Sequence, residues 1–193
     1  NLQSLRLDPN TAGSGVPRYL VSSSDEKADG MDVAMQWHPT RAFTLNLVAA
    51  YIDSRYAHKI AASGADLSGQ PTGVPKLSFT VGLQYVWHIH GGQLALNLSH
   101  AYRGKSRCNN DSKLQGTCQV SPNFRVGEAT RRTDFHLDWS APGGHWGMAL
   151  YATNVFNKRY VKGVDNVATS VLGTPFATIT PPRTYGVTLR LKY

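Results

Sequence analysis

Four residues able to do chemistry alternate along one short stretch: Arg132, Asp134, His136 and Asp138 in RRTDFHLDWS, residues 131–140. With a repeat of two they project from the same face of a strand. A carboxylate can orient an imidazole as a base, so Asp134 beside His136 raises a hydrolase as one reading. No serine or water-activating partner is identifiable to complete it. The spacing suits better the wall of an aqueous passage, ion-paired with its neighbours, or a substrate path along Arg132, Asp134, His136, Asp138 and Arg190. The same polar phase carries Asp32, Gln36, Asn46, Asn97, Ser99, Arg103 and Lys192 on other segments. His88 and His90 in HIH also share a phase, beside a turn, with no identifiable third ligand for a metal. No catalytic residue, metal or cofactor is therefore assigned.

These side chains need strands to hold them, and strands are what the rest of the chain supplies. In LSFTVGLQYVWHI, residues 77–89, Leu77, Phe79, Val81, Leu83, Tyr85, Trp87 and Ile89 occupy one phase of a two-residue repeat. Ser78, Thr80, Gly82, Gln84 and His88 occupy the other, with Val86 the exception. Similar alternation runs through Met31 to Trp37, Phe43 to Tyr51, Leu94 to Tyr102, Phe135 to Trp139, Trp146 to Phe156 and Tyr185 to Tyr193. With a poorer opening strand at Leu2 to Leu7, the expectation is an all-β chain of about eight strands and no helix.

Bulk composition leaves the surroundings of the apolar face open but narrows them. Of 193 residues only 17% are charged, against roughly 25% in an average soluble protein. No apolar run is long enough for a transmembrane helix, about 18 residues, yet transmembrane barrels average to soluble hydropathy. Net charge is +8, but no basic run exceeds two residues, so nucleic acid is not expected as a partner. The opening NLQSLRL lacks the features of a signal peptide, which is expected to be absent or already removed, or the start to be where a longer chain was cut. Cys108 and Cys118 lie close together in a polar stretch and suit one local disulfide in an oxidising compartment. It would constrain the unfolded chain by about 3 kcal/mol; two free thiols are the alternative.

The connections decide the architecture. HPTRA (38–42), HGGQ (90–93) and APGGH (141–145) are tight turns, and between them run long polar segments at about residues 8–27, 58–74, 105–127 and 158–181. Strict alternation of short and long, in an up-and-down meander, puts all turns on one rim and all loops on the other, as in outer-membrane barrels. Aromatics on the apolar phase fall at two levels. Trp37, Phe43, Trp87, Trp139, Trp146 and Tyr193 lie by the short turns or the C-terminus, and Tyr51, Phe79, Tyr102, Tyr185 and Phe156 lie eight to ten positions further along. Eight residues of tilted strand climb roughly 20 Å, close to the apolar band of about 25 Å between the aromatic girdles of such barrels. The apolar face is therefore read as lipid-facing and the polar face as lining an aqueous lumen.

NVFNKRY (154–160) followed by PPRTYGVTLRLKY (181–193) resembles the C-terminal end of TonB-dependent outer-membrane receptors. In that family an Asn-aliphatic-Phe-Asp/Asn-Lys-x-Tyr motif caps the penultimate strand, and Pro-Arg-x-aromatic-Gly opens the last. The matching positions here are Asn154, Phe156, Tyr160, Pro182, Arg183 and Gly186. ADGMD (28–32) and GQPTGVPK (69–76) are similar to two further strand openings of the family. The family's assembly signal usually has Gly five residues before the terminal aromatic. Thr188 stands there in this chain, with Gly186 two earlier.

The resemblance implies an antiparallel up-and-down transmembrane β-barrel segment, residues 1–193 forming the last third of a barrel of about 22 strands whose plug and earlier strands lie outside it. It implies the outer membrane of a Gram-negative bacterium, no enzymatic step, and partners consisting of outer-membrane lipid and lipopolysaccharide, TonB through the missing N-terminal part, and a small-molecule cargo such as a ferric siderophore. Loops around Lys59 to Thr72, Lys105 to Arg125 and Lys158 to Thr180 would line the cargo mouth. Lys105, Arg107, Lys113, Lys158, Arg159 and Lys162 give that side a positive cast, suited to phosphates or an anionic ligand. Two other arrangements share the alternation: a complete eight-stranded outer-membrane barrel with a structural or adhesive role, and a soluble ligand-binding barrel with its apolar phase turned inward.

Overall fold

The computed structural model describes residues 2–7, 19–61, 64–106, 118–121, 124–165 and 176–192. Cys108 and Tyr193 lie outside these, as does the side chain of Cys118, and with them the expected disulfide and the terminal aromatic.

Among the described residues twelve strands form, in order β1 (Leu2–Leu7), β2 (Tyr19–Thr40), β3 (Phe43–His58), β4 (Leu77–Ile89), β5 (Gly92–Arg103), β6 (Cys118–Ser121), β7 (Phe124–Val126), β8 (Thr130–Ser140), β9 (Trp146–Thr153), β10 (Val161–Asp165), β11 (Phe176–Ile179) and β12 (Thr184–Leu191). Eight of them make one antiparallel sheet in the order β1-β2-β3-β4-β5-β8-β9-β12, and the pairs β6-β7 and β10-β11 stand as separate hairpins. The eight are the expected strands in an up-and-down meander. Among the described residues β1 and β12 are opposite edges of an open sheet, whereas a complete small barrel would pair them.

The register carries the apolar phase from strand to strand without a slip of face. Trp37 pairs with Leu45, Leu45 with Leu83, Leu83 with Leu98, Leu98 with Phe135, Phe135 with Ala152, and Ala152 with Tyr185. A one-residue shift anywhere would have mixed the two faces. That row starts near the short-turn rim, at Trp37, and ends at the long-loop end, at Tyr185. Such a drift across hydrogen-bonded neighbours is the stagger of tilted strands in a barrel wall.

The sheet curves around its polar side. A concavity of about 490 Å³ opens there, lined by Asn46, Gln84, Asn97, His136 and Tyr151 among others. The apolar side is the open one: Trp37, Trp87, Trp146, Leu189 and Leu191 are all exposed, Leu189 by 72%. A soluble barrel with its apolar phase inward would bury these residues, so that arrangement does not describe this chain. The buried apolar cluster of the described residues joins Tyr56, near the long-loop end of β3, to Ala61 and Leu67 in the connection that follows it.

Five segments differ from the sequence reading. The polar segment read as a loop over 8–27 is strand from Tyr19 onward, paired with β1 and, from Asp25, with β3. Where both faces of a hairpin are exposed, no apolar alternation announces it. The loops at 105–127 and 158–181 contain the β6-β7 and β10-β11 hairpins. The connection over 58–74 folds on its own small core. Phe156, read as part of a strand, lies beyond the end of β9 at Thr153, in a turn where Asn154 and Asn157 have φ of +51°.

Candidate functional site

The alternating residues of β8 all lie on the concave polar face, but they pair otherwise than their order implies. Asp134 accepts the Nε of Arg132 at 2.8 Å and the backbone N–H of Asn154 at 2.8 Å. His136 Nδ1 lies 2.5 Å from Asp138, whose other carboxylate oxygen takes Arg190 of β12. Asp138 and Arg190 are 52 residues apart in sequence and two strands apart in the sheet. They meet across β9 because Ala149, 3% exposed, leaves space between them. The carboxylate beside His136 is thus Asp138 and not Asp134, and among the described residues no hydroxyl hydrogen-bonds that imidazole. The geometry is that of an ion-paired sheet face holding the edge strand, not a nucleophile with its base.

The residues from Asn154 to Arg183 form a clamp at the base of the last long loop. Asn154 is buried and uses every polar atom of its side chain: Nδ2 donates to the carbonyls of Lys158 at 2.9 Å and Pro181 at 3.1 Å, and Oδ1 accepts the N–H of Lys158 at 3.0 Å. Asn157 Oδ1 accepts the N–H of Arg183 at 3.0 Å. Tyr160 and Thr180 exchange two bonds, the Tyr160 N–H donating to Thr180 Oγ1 at 3.0 Å and the Thr180 N–H to the Tyr160 carbonyl at 2.9 Å. Asparagine is the non-glycine residue that tolerates φ above zero best, so Asn154 and Asn157 supply the turn and the bonds together.

No family profile matches the chain, and no curated protein does. Solved structures do. The ferric yersiniabactin uptake receptor FyuA from Yersinia pestis matches at 17% identity with a TM-score of 0.66, over 88% of this chain and 24% of that one. The ferric preacinetobactin receptor BauA from Acinetobacter baumannii matches at 19% identity and 0.63, over 97% and 25%. A chain of the FpvAI–pyocin S2 complex matches at 15% and 0.58, over 98% and 23%. The fold is the one these receptor β-barrels share. This chain spans about a quarter of the length of the receptors it matches.

Within this receptor-barrel fold the short-turn rim is tied together by aromatic contacts. Trp37 meets Phe43 edge-on at 6.4 Å, Phe43 meets Tyr85 at 6.3 Å, and Tyr85 meets Trp87 at 4.4 Å. Trp139 continues the row two strands on; its indole lies against Gly92, where a Cβ would come within 2.5 Å of the ring. At the other end of the same face Phe79 stacks on Tyr102 at 5.1 Å, and Tyr51 pairs with Met31 and Leu77. Periodicity did not single out His100, which shares that apolar face and bonds Thr133 at 2.8 Å, nor Tyr151, which lies on the polar face.

Gly186 has its own requirement. A Cβ there would lie 2.6 Å from the Tyr151 hydroxyl oxygen, because the Tyr151 ring crosses from β9 over its β12 partner.

The end of β3 and the connection that follows it form a folded segment at the long-loop rim. Asp53, beyond the Tyr51 level, pairs with Lys76 at 3.2 Å and with Arg55 at 3.2 Å, and Arg55 reaches on to the Gly69 carbonyl at 3.2 Å. The hydrogen bond from Lys76 holds the Asp53 carboxyl below its ordinary range; desolvation opposes it and Arg55 adds to it. Tyr56, Ala61 and Leu67 pack within the segment, with the Lys59 ammonium 4.3 Å above the Tyr56 ring. Lys59 to Thr72, read as a cargo-facing loop, is therefore a structured hairpin.

Proposed function

We propose that this chain is the C-terminal eight strands of a TonB-dependent receptor of about 22 strands, which imports a scarce solute such as a ferric siderophore across the outer membrane of a Gram-negative bacterium. The observation that carries the reading is the pairing of an apolar exposed face with a concave polar one over the whole meander, in a fold matched by two ferric siderophore receptors. The protein binds and gates, with no covalent step. The polar face, including Arg132, Asp134, His136, Asp138 and Arg190, lines the lumen against the plug. The girdle aromatics meet lipid, TonB acts through the N-terminal part, and the long connections after β3, β5 and β9 surround the cargo mouth.

The test is import by cells expressing the whole receptor, with radiolabelled ferric siderophores as cargo and TonB present or absent. Uptake that needs both the receptor and TonB is expected. Removing residues 164–177, the distal part of the last long connection, is expected to reduce uptake while leaving the barrel in the membrane. Full uptake after that removal would refute the role of the loop, and uptake independent of TonB would refute the class.

A further inference from the structure

The apolar pattern of β12 leaves its alignment undecided. Among the described residues this edge strand is bonded to β9 alone, and residues 154–183 separate the two, so no tight turn sets their register. Its apolar face carries Tyr185, Val187, Leu189 and Leu191, opposite Ala152, Leu150, Met148 and Trp146. A slip of one residue would turn these to the polar face. A slip of two exchanges one large apolar residue for another and renews the backbone bonds of the ladder. Arg190 resists it in one direction only, since the other brings Lys192 to its place beside Asp138.

Other residues resist it in both. Gly186 lies under the Tyr151 ring, where a Cβ would come within 2.6 Å of the hydroxyl oxygen. A slip of two either way brings a threonine there, Thr184 or Thr188. Just before the strand, Arg183 gives its N–H to Asn157 Oδ1, and Thr180 gives its N–H to the Tyr160 carbonyl while its Oγ1 accepts the Tyr160 N–H. Pro181 stands two residues before Arg183, and Pro182 two after Thr180. Neither has an N–H to give. Slipped one way, the chain presents Pro181 to Asn157; slipped the other way, it presents Pro182 to Tyr160. The turn that carries Asn157 is itself fastened to β8, through the Val155 N–H on the Thr133 carbonyl at 2.9 Å and the Asn154 N–H on Asp134 at 2.8 Å.

We propose that the Pro181-Pro182 pair, facing Asn157 and Tyr160, is a register gauge for the last strand. Each proline guards one direction, and with the Tyr151 ring over Gly186 they refuse the two neighbouring alignments of β12 on β9 that the apolar pattern allows. The inference rests on the β9–β12 ladder and the clamp, and stands apart from the import reading, whose test is uptake.

The experiment uses the whole receptor in membranes, oxidised with copper phenanthroline, with disulfide-linked peptides quantified by mass spectrometry. L150C/V187C reports the native alignment, in which those residues are opposite. L150C/Y185C reports the slip that brings Pro181 to Asn157, and L150C/L189C the slip that brings Pro182 to Tyr160. With no other substitution only the first pair is expected to link. Tyr151→Ala then removes the ring from over Gly186. In that background P181A supplies an N–H to Asn157 and is expected to raise the Y185C link about fivefold, the worth of about one hydrogen bond, leaving the L189C link unchanged. P182S supplies both an N–H and a hydroxyl to Tyr160 and is expected to raise the L189C link about tenfold or more, leaving the Y185C link unchanged. A general loosening from loss of a proline would raise both. Both slipped links rising together, or neither rising with either substitution, overturns the proposal. Where the Y151A variants do not reach the membrane, P181A and P182S with the ring intact are read in the same way.

Discussion

Alanine in place of Gly186 separates two opposing effects that depend on one neighbour. The added Cβ would lie 2.6 Å from Oη, 2.8 Å from Cζ and 2.9 Å from Cε1 of Tyr151, where carbon contacts normally settle near 3.5–4.0 Å. The ring must retreat by about 1 Å, and forcing an extra methyl into an occupied place costs about 1–3 kcal/mol. Against that, losing a strand glycine gains about 0.5–1 kcal/mol of backbone entropy. The Tyr151 ring borders the open concavity and has somewhere to go, so a net loss of about 1 kcal/mol is expected, roughly fivefold in the folded-to-unfolded ratio. In a Tyr151→Ala background the clash is gone and only the entropic gain remains, so G186A should change sign and stabilise by about 0.5 kcal/mol. Urea unfolding of the whole receptor in detergent, followed by tryptophan fluorescence in the four backgrounds, reads both numbers. The same sign in both backgrounds would refute the Tyr151 explanation of this glycine.

Asn154→Gly keeps the positive φ but removes three hydrogen bonds, a loss of about 2–4 kcal/mol that should appear as faster protease nicking between residues 158 and 183; Asn154→Ala should be worse by about 1 kcal/mol, since it also forces φ. Asp138→Asn should weaken the hold on β12 by only about 1 kcal/mol, because Arg190 and His136 are 56% and 44% exposed and screened by water. Faster amide exchange at Val187 to Arg190 measures it, and unchanged protection would refute the bridging role. Asp53 has a depressed folded pKa, so its pairing stabilises the outer segment at all pH values above the ordinary aspartate value of 3.8 and is lost as pH falls through the lower folded value. A carboxyl carbon-13 titration of Asp53 should show a midpoint below 3.8; a midpoint at or above it would refute the pairing.

How much of this was legible without coordinates differs by element. The strand from Leu77 to Ile89 announces itself because one face must be apolar over its whole length, and its register with β3 and β5 follows from matching that face. The outer half of the β2–β3 hairpin carries no such mark, since Asp25 to Gly30 face water on both sides. Asp134 and His136 were visible as a pair because they are two residues apart. The partner that each acid takes was not, because Arg190 arrives from a strand 52 positions away and Asn154 offers a backbone N–H that no residue type encodes.

Local repetition by itself determined the all-β class, the eight strands of the main sheet, which of its faces is apolar and where the tight turns fall, because each depends on neighbours within a few residues along the chain. Tertiary structure alone decided the direction of curvature, the exchange of partners among the charges of the polar face, the fit of Tyr151 over Gly186 and the packed segment at the end of β3. Those depend on how far successive strands slide past one another, and that displacement accumulates through backbone hydrogen bonds that are the same for every side chain.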